Sequence, residues 1–165
     1  MIIISDNSAL SCLAELGELD LLRQLYGTIT VTATVREEGC HPHAPEALRK
    51  FYERPPAWLV IVPDVHPNLD ETGALDPGEA SAISLAWQHR DTCLLIIDEK
   101  QGRKVCNALG LHITGAAGLL CDAASAGLID FDDAFTRLTH TRFRLSARVM
   151  DVLRQRHQSD SPMEP

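Results

Sequence analysis

The chain has 165 residues, of which 45% are hydrophobic and 23% charged, and its formal net charge is −8 at pH 7. This length suits one domain with a core of its own, and the composition is typical of globular proteins. The acidic balance argues against a protein that coats nucleic acid nonspecifically, because such binding needs an excess of positive charge.

The cysteines and the apolar runs point to a cytoplasmic protein. Five cysteines occur, an odd number without C-x-x-C spacing, and four of them lie in apolar runs. They are typical of small core residues in a reducing compartment. The chain has no uncharged stretch of 18 residues or more, and the N-terminus lacks a signal-peptide pattern, so we expect no membrane association.

The predicted elements alternate between strands and helices. Short apolar or β-branched runs predict strands at residues 2–5, 28–32, 58–62, 94–97 and 111–114. Helical periodicity, with glycine and proline at the ends, predicts helices at residues 8–26, 45–53, 78–89, 102–109, 115–126, 131–139 and 146–156. It also predicts a short helix through Val35 and Glu38 that ends near Gly39. A polar loop covers residues 63–77. This alternation predicts an α/β fold with a mostly parallel sheet and helices on both faces.

Four acids are expected at one rim of that sheet. Asp6 and Asp98 directly follow predicted strands, and ligands of open parallel sheets bind outside the carboxyl ends of the strands. Glu38 ends a short segment after the second strand, at the same rim. Glu79 lies in the first turn of a helix, where stabilisation of the helix N-terminus is a competing explanation. Taken singly, each acid is more typical of a turn, a cap or the solvated surface.

Together the four carboxylates predict a metal site. Carboxylates packed against one another repel and raise each other's pKa, so they stay ionised only if cations neutralise them. Ligands with oxygen alone suit Mg²⁺ or Mn²⁺ and not zinc. Such ions activate water for in-line attack on a phosphodiester and stabilise the leaving oxygen. The pattern therefore predicts metal-dependent cleavage of a nucleic-acid backbone.

At these residues the sequence resembles the PIN-domain nucleases, especially the toxin-like branch of prokaryotic toxin–antitoxin pairs. The resemblance covers residues 2 to about 153. Four segments with the family's acids carry it, and they are IISDNSAL at 3–10, VTATVREE at 31–38, LDPGEASAI at 75–83 and LIIDEK at 95–100. Three further segments fit the same subgroup, and they are GLHITG at 110–115, GLL at 118–120 and FRLS at 143–146.

The resemblance implies a PIN-like, Rossmann-like three-layer α/β/α domain over residues 1–157, followed by a disordered tail at 158–165. It implies an endoribonuclease that uses Mg²⁺ or Mn²⁺, with an RNA substrate, a homodimer and an antitoxin protein as partner. The implied catalytic acids are Asp6, Glu38, Glu79 and Asp98, and Asp6, Glu79 and Asp98 are the implied metal ligands. Ser8 would orient Asp6 or a water, Glu99 would support the site, and Arg103 and Lys100 would contact phosphate.

Several alternatives stay open at this point. Glu37 stands beside Glu38 and could be the site acid in its place. The domain could be a non-catalytic PIN-like module that acts through a protein partner. A metal-dependent phosphatase is less favoured, because Ser8 stands where the best-known such enzymes carry a second aspartate. Cys40-His41-Pro42-His43 lacks the further ligands of a zinc site. The arginines near the C-terminus could form a solvated helix face or could guide RNA to the site. They are Arg142, Arg144, Arg148, Arg154 and Arg156.

Overall fold

The computed structural model of the protein describes residues 1–67 and 69–160. The strands are β1 Ile2–Ser5, β2 Ile29–Thr32, β3 Leu59–Val62, β4 Cys93–Ile96 and β5 Ile113–Thr114. The α-helices are α1 Asn7–Leu16, α2 Asp20–Tyr26, α3 Ala33–Gly39, α4 Glu46–Glu53, α5 Pro77–Gln88, α6 Lys100–Ala108, α7 Ala116–Ser125, α8 Phe131–Thr139 and α9 Ala147–Asp160. A short 3₁₀ turn spans Asp70–Thr72, within the predicted loop.

The strands form one sheet in the order β3-β2-β1-β4-β5, and every described pair is parallel. Helices cover both faces, so the predicted three-layer α/β/α fold is confirmed. The chain proceeds from β1 through β2 to β3 on one side and continues at β4 on the other. The topological switch point therefore lies between β1 and β4, where Ser5 pairs with Ile96. In folds of this kind, the crevice at the switch point is the usual ligand site.

The central strands are buried by helices on both sides, as their continuous apolar sequences require. Helix α5 packs on β1, β2 and β4 and contacts α6. Helices α1 and α2 contact α7, which in turn carries α8 and α9 on its outside. Helix α3 begins directly after β2 and contacts both α1 and α5. It therefore lies at the carboxyl edge of the sheet, beside the switch point.

The single helix predicted at residues 8–26 is wrong, because two helices occupy that stretch. Gly17 adopts a left-handed conformation with φ +74° and its N–H donates to Ala14 O, which ends α1. A positive φ of this kind suits glycine and is a common helix stop. Ser8, the first residue of that predicted helix, is not its cap. Asp6 is the N-cap, since its side chain accepts from the backbone N–H groups of Ser8 and Ala9.

Two further boundaries differ from the sequence prediction. Strand β4 ends at Ile96, so Asp98 follows the strand by two residues and not directly. Helix α9 continues to Asp160, so residues 158–160 of the predicted disordered tail are helical. Residues 161–165 of that tail lie outside the described residues. Within the described part of the chain, every helix is too short or too polar to cross a membrane.

Candidate active site

Asp6 lies at the carboxyl end of β1, where the chain turns into α1. Its extended backbone, with φ −91° and ψ −178°, directs the carboxylate back over the first turn of the helix. Oδ1 accepts from Ser8 N at 3.1 Å and from Ala9 N at 3.4 Å. The side chain is nearly buried, with 4% of the residue exposed. Asp6 thus combines a capping role with a position at the switch point.

The hydroxyl of Ser8 links Asp6 to Asp98. Ser8 Oγ lies 2.7 and 2.8 Å from the two carboxylate oxygens of Asp6, to which it donates. The same oxygen accepts from the backbone N–H of Asp98 at 2.9 Å. The ends of β1 and β4 are therefore joined through one side chain. The contact predicted between Ser8 and Asp6 is present, whereas its role in catalysis stays a prediction.

Asp98 lies between β4 and α6 and faces the N-terminus of α7. Both of its carboxylate oxygens lie 3.1 Å from Ala116 N, which donates to them. A helix N-terminus favours a carboxylate because its first N–H groups lack partners in the helix. Gly115 leaves the room for this approach, since a Cβ there would overlap Asp98 Oδ1. In the amino-acid sequence, the only signal of this packing is a glycine directly before a predicted helix.

Glu79 is buried in the first turn of α5, with 7% of the residue exposed. Its Oε1 is buried and has no hydrogen-bond partner among the described residues. The carboxylate lies against α6, where a Cβ on Gly102 would overlap Oε1. The amide of Gly102 is close enough to lower the pKa of Glu79 without completing a hydrogen bond to Oε1. A buried carboxylate oxygen without a donor is costly unless a cation or a proton compensates it.

Glu38 performs the capping that the sequence suggested for Glu79. Its Oε1 accepts from the backbone N–H of Gly78 at 2.8 Å, in the first turn of α5. A Cβ at Gly78 would overlap Glu38 Oε2, so glycine is needed for the contact. Glu37 is exposed and Glu38 half-buried. The structure therefore places Glu38, and not Glu37, against the element that carries Glu79.

Burial raises the pKa of three of the four acids. It raises the pKa of Asp6 to about 7, against the lowering effect of the Ser8 and Ala9 donors, and the Asp98 and Glu79 carboxylates raise it further. Burial raises the pKa of Glu79 to about 7, with Glu99 as the next contributor. Burial also raises the pKa of Asp98 to about 6, although Ala116 N–H and Arg103 oppose it. The acids therefore form an electrostatically coupled group.

The coupling does not amount to a ready-made cage for a metal. Within residues 1–67 and 69–160, no three His, Cys, Asp or Glu side chains are close enough to hold one ion together. Mg²⁺ usually takes only one or two protein carboxylates and keeps several waters. The donors are all carboxylates, and Glu79 Oε1 is a buried oxygen that lacks a partner. The residues present thus fit a hydrated divalent cation in donor type.

The supporting residues are placed differently from one another. Arg103 donates to the backbone carbonyl of Ile97 at 2.7 Å, so its guanidinium holds the end of β4 in addition to facing Asp98. Glu99 is exposed at the N-cap position of α6 and acts on Glu79 through its charge. Lys100 is exposed at the first position of α6. The phosphate contacts expected of Arg103 and Lys100 stay predictions.

Asn7 and Tyr52 connect the helices that position the site acids, and this role was not predicted from the sequence. Asn7 Nδ2 donates to Val35 O at 2.6 Å, and Tyr52 OH donates to Asn7 Oδ1 at 2.9 Å. These bonds tie α1, which Asp6 caps, to α3, which carries Glu38, and to α4. Gly39 lies against the Tyr52 ring with no room for a side chain. The only sequence signal is the asparagine directly after Asp6.

The fold and the buried acids define an α/β protein with a carboxylate site at the switch point of a parallel sheet. Residues 2–159 match the family model DUF3368, described as a PIN domain. The chain therefore belongs to the PIN-domain family, whose fold is of nuclease type and whose members usually use divalent metal ions. No curated protein and no solved structure gives a significant match. The predicted family is confirmed, and the toxin-like branch stays a prediction.

Proposed function

We propose that the protein is a divalent-metal-dependent endoribonuclease and the toxin of a type II toxin–antitoxin pair. The observation that supports this most is the group formed by Asp6, Ser8 and Asp98 at the switch point, with the buried Glu79 beside it. Three acids with raised pKa values at one edge are unfavourable for stability without a cation. Because these acids lie in a PIN-domain fold, phosphodiester hydrolysis is the reaction that this arrangement supports best.

The side chains would divide the work as follows. Asp6, Glu79 and Asp98 would together hold one or two hydrated Mg²⁺ or Mn²⁺ ions, which would supply an activated water and neutralise charge on phosphate. Ser8 positions the Asp6 carboxylate and the backbone of Asp98 through one hydroxyl. Glu38 fixes the N-terminus of α5 and thereby the backbone that carries Glu79. Helix α7 supplies an N–H that keeps the Asp98 carboxylate oriented.

Purified protein with Mg²⁺ or Mn²⁺ should cleave RNA, and Asp6→Asn should abolish the cleavage. The substitution keeps an oxygen that can accept from Ser8 N but removes the charge that a metal ion needs. The measurement is the loss of full-length labelled RNA on a gel, with and without chelator. Equal cleavage by the wild type and by Asp6→Asn would assign the activity to a contaminant and contradict the proposal.

One observation favours a second candidate, a non-catalytic PIN-like module that acts through a protein partner. The described residues do not bring three potential ligands within reach of one ion. Titration with Mn²⁺ separates the two candidates, because a nuclease must bind the ion at millimolar concentration or below. Absence of Mn²⁺ and Mg²⁺ binding at millimolar concentration, together with absence of cleavage, would favour the binding module.

The toxin role, the antitoxin partner and the homodimer rest on the resemblance to the toxin-like branch. A test is co-expression with the product of the neighbouring open reading frame. A true antitoxin should co-purify with the chain and inhibit its cleavage of RNA. Light scattering of the purified chain measures whether it is a dimer.

A further inference from the structure

A groove of about 440 Å³ opens beside Asp98. One wall is the start of α6, with Asp98, Glu99 and Lys100. A second wall is the segment 141–144 between α8 and α9. The groove therefore joins Asp98, one of the acids of the candidate site, to a stretch of chain far away in sequence. Its charged residues are Lys100, Arg142 and Arg144 against Glu15, Asp98 and Glu99.

In the second wall, the packing of the segment 141–144 exposes its two arginines to solvent. Burial alternates along it, because Phe143 and Leu145 pack against the core whereas Arg142 and Arg144 are exposed. The turn before it is held by Thr141, whose Oγ1 donates to Leu138 O at 2.8 Å and accepts from Phe143 N at 3.1 Å. Two anchored apolar side chains thus place two guanidinium groups on the solvent side of the segment.

The two guanidinium groups are differently restrained. Arg144 Nη1 donates to Thr141 O at 2.8 Å and to Phe143 O at 3.3 Å, which holds this side chain against its own loop. Arg142 makes no hydrogen bond or ion pair with the described residues. By contrast, Arg137 on the preceding helix is engaged with Glu18 and Asp133. Arg142 therefore keeps all its donors for a ligand, and Arg144 keeps those outside Nη1.

A second depression near the acids has a different charge. It lies beside Glu38 and is lined by Thr34, Glu37, Glu38, His41, Ala44, Asp76 and Pro77, with no lysine or arginine. A polyanion would be repelled more strongly there than in the groove beside Asp98, where three cationic side chains balance three acidic ones. The charges of the two depressions thus give the acid site a preferred direction of approach.

We propose that Arg142 and Arg144 form a phosphate-binding strip that leads an RNA strand to the acid site from the Asp98 side. The inference rests on the proposed ribonuclease function and adds the route of the substrate. Guanidinium groups bind phosphate oxygens through paired N–H donors and are weakly hydrated, which suits this role. The contacts are with the backbone of the RNA, so they set position and not sequence preference.

The test measures RNA binding separately from cleavage. Every protein carries Asp6→Asn, so that RNA survives in Mg²⁺, and circular dichroism confirms the fold of each variant. The probe is a fluorescently labelled single-stranded RNA of about a dozen nucleotides. Arg142→Glu and Arg144→Glu are compared with Arg54→Glu, which makes the same charge change. Arg54 is an exposed residue between α4 and β3, near the amino edge of the sheet.

We expect Arg142→Glu to weaken binding about tenfold and to reduce the dependence of log K on log salt by about 0.7, the value for one phosphate contact on a single strand. Arg144→Glu should act in the same direction, and Arg54→Glu should change binding less than twofold. Equal weakening by Arg142→Glu and Arg54→Glu would overturn the strip. So would a parent that fails to bind RNA at about 100 µM, the weak limit of nonspecific binding.

Two outcomes separate the strip from its alternatives. If poly-glutamate binds the parent more tightly than RNA does and loses that binding in Arg142→Glu, the strip serves an acidic protein partner and the proposal fails. The proposed function is tested by cleavage with the protein that retains Asp6. An absence of cleavage with intact, Arg142-dependent RNA binding would remove the nuclease function and leave the strip standing.

Discussion

At the scale of the residue, Asp6 serves two purposes that conflict when no metal is bound. As the N-cap of α1 it accepts from two backbone N–H groups, which stabilises the helix. As a buried carboxylate beside Asp98 and Glu79 it pays for desolvation and repulsion, so its pKa is raised to about 7. If this position contributed only to stability, serine or asparagine would be a better residue there, because each caps a helix without a buried charge. The conflict is the expected mark of a functional acid.

The conflict predicts that Asp6→Asn stabilises the metal-free protein above pH 7. At pH 8 the native carboxylate is ionised, and asparagine removes that charge while keeping a capping oxygen. We expect the free energy of unfolding to rise by on the order of 1 kcal/mol. Asp6→Ala loses the cap as well and should be less stable than Asp6→Asn by about 1 kcal/mol. Urea unfolding in the presence of chelator measures the free energy of unfolding of both variants. If Asp6→Asn is less stable than the wild type, the ionised carboxylate does not destabilise the metal-free protein and the prediction is wrong.

At the scale of the element, the site depends on how closely α5, α6 and α7 approach one another. Glu79 on α5 lies against Gly102 of α6, and Asp98 lies against Gly115 at the start of α7. Both glycines have ordinary backbone angles, so they are required for space and not for conformation. Helix α6 would gain stability from alanine at Gly102 if it stood alone, by about 1 kcal/mol.

We therefore expect Gly102→Ala to damage the site more than the fold. The new methyl group would overlap Glu79 Oε1 and lie 2.6 Å from Ile97 Cδ1, so the carboxylate must move. Misplacement of a site group by about 1 Å can cost a hundredfold in rate, and we expect a loss of RNA cleavage of about ten- to a hundredfold. Gly73→Ala is the matched control, because its nearest contact would be an ordinary 3.4 Å to Asp70 O. Equal activity of the two variants would contradict the role of this packing.

The elements also show what the sequence could and could not reveal. Strand periodicity and strand ends were enough to bring Asp6 and Asp98 to one rim, because parallel topology places them there whatever the side-chain packing. The sequence could not predict that Glu38, and not Glu79, caps the N-terminus of α5. Glu38 caps α5 by accepting from the N–H of Gly78, which lies 40 positions later in the chain, and only tertiary packing brings the two together. The break at Gly17 was readable as a glycine stop but was hidden by continuous apolar periodicity.

At the scale of the whole molecule, the raised pKa values make stability depend on pH in a definite direction. Asp6, Glu79 and Asp98 have folded-state pKa values of about 7, 7 and 6, above the ordinary 3.8 to 4.5. Between about pH 4 and pH 7 the native state therefore binds more protons than the unfolded chain. The contribution of these acids to stability is complete below pH 4 and is lost as the pH rises through 6 to 7.

We therefore expect the metal-free protein to be more stable at pH 5 than at pH 8, and Mg²⁺ to reduce the difference. A cation on the acids favours their ionised form and binds the native state alone, so millimolar Mg²⁺ should raise the midpoint of thermal unfolding at pH 8 more than at pH 5.

The net charge of −8 also lowers stability at high pH through general repulsion, and a variant separates the two causes. Asp6→Asn/Asp98→Asn changes the net charge by only two but removes two of the three titrating groups. The double variant should lose most of the pH dependence and most of the response to Mg²⁺. If it keeps both, the stability of the protein is governed by its total charge and not by the acids at the switch point.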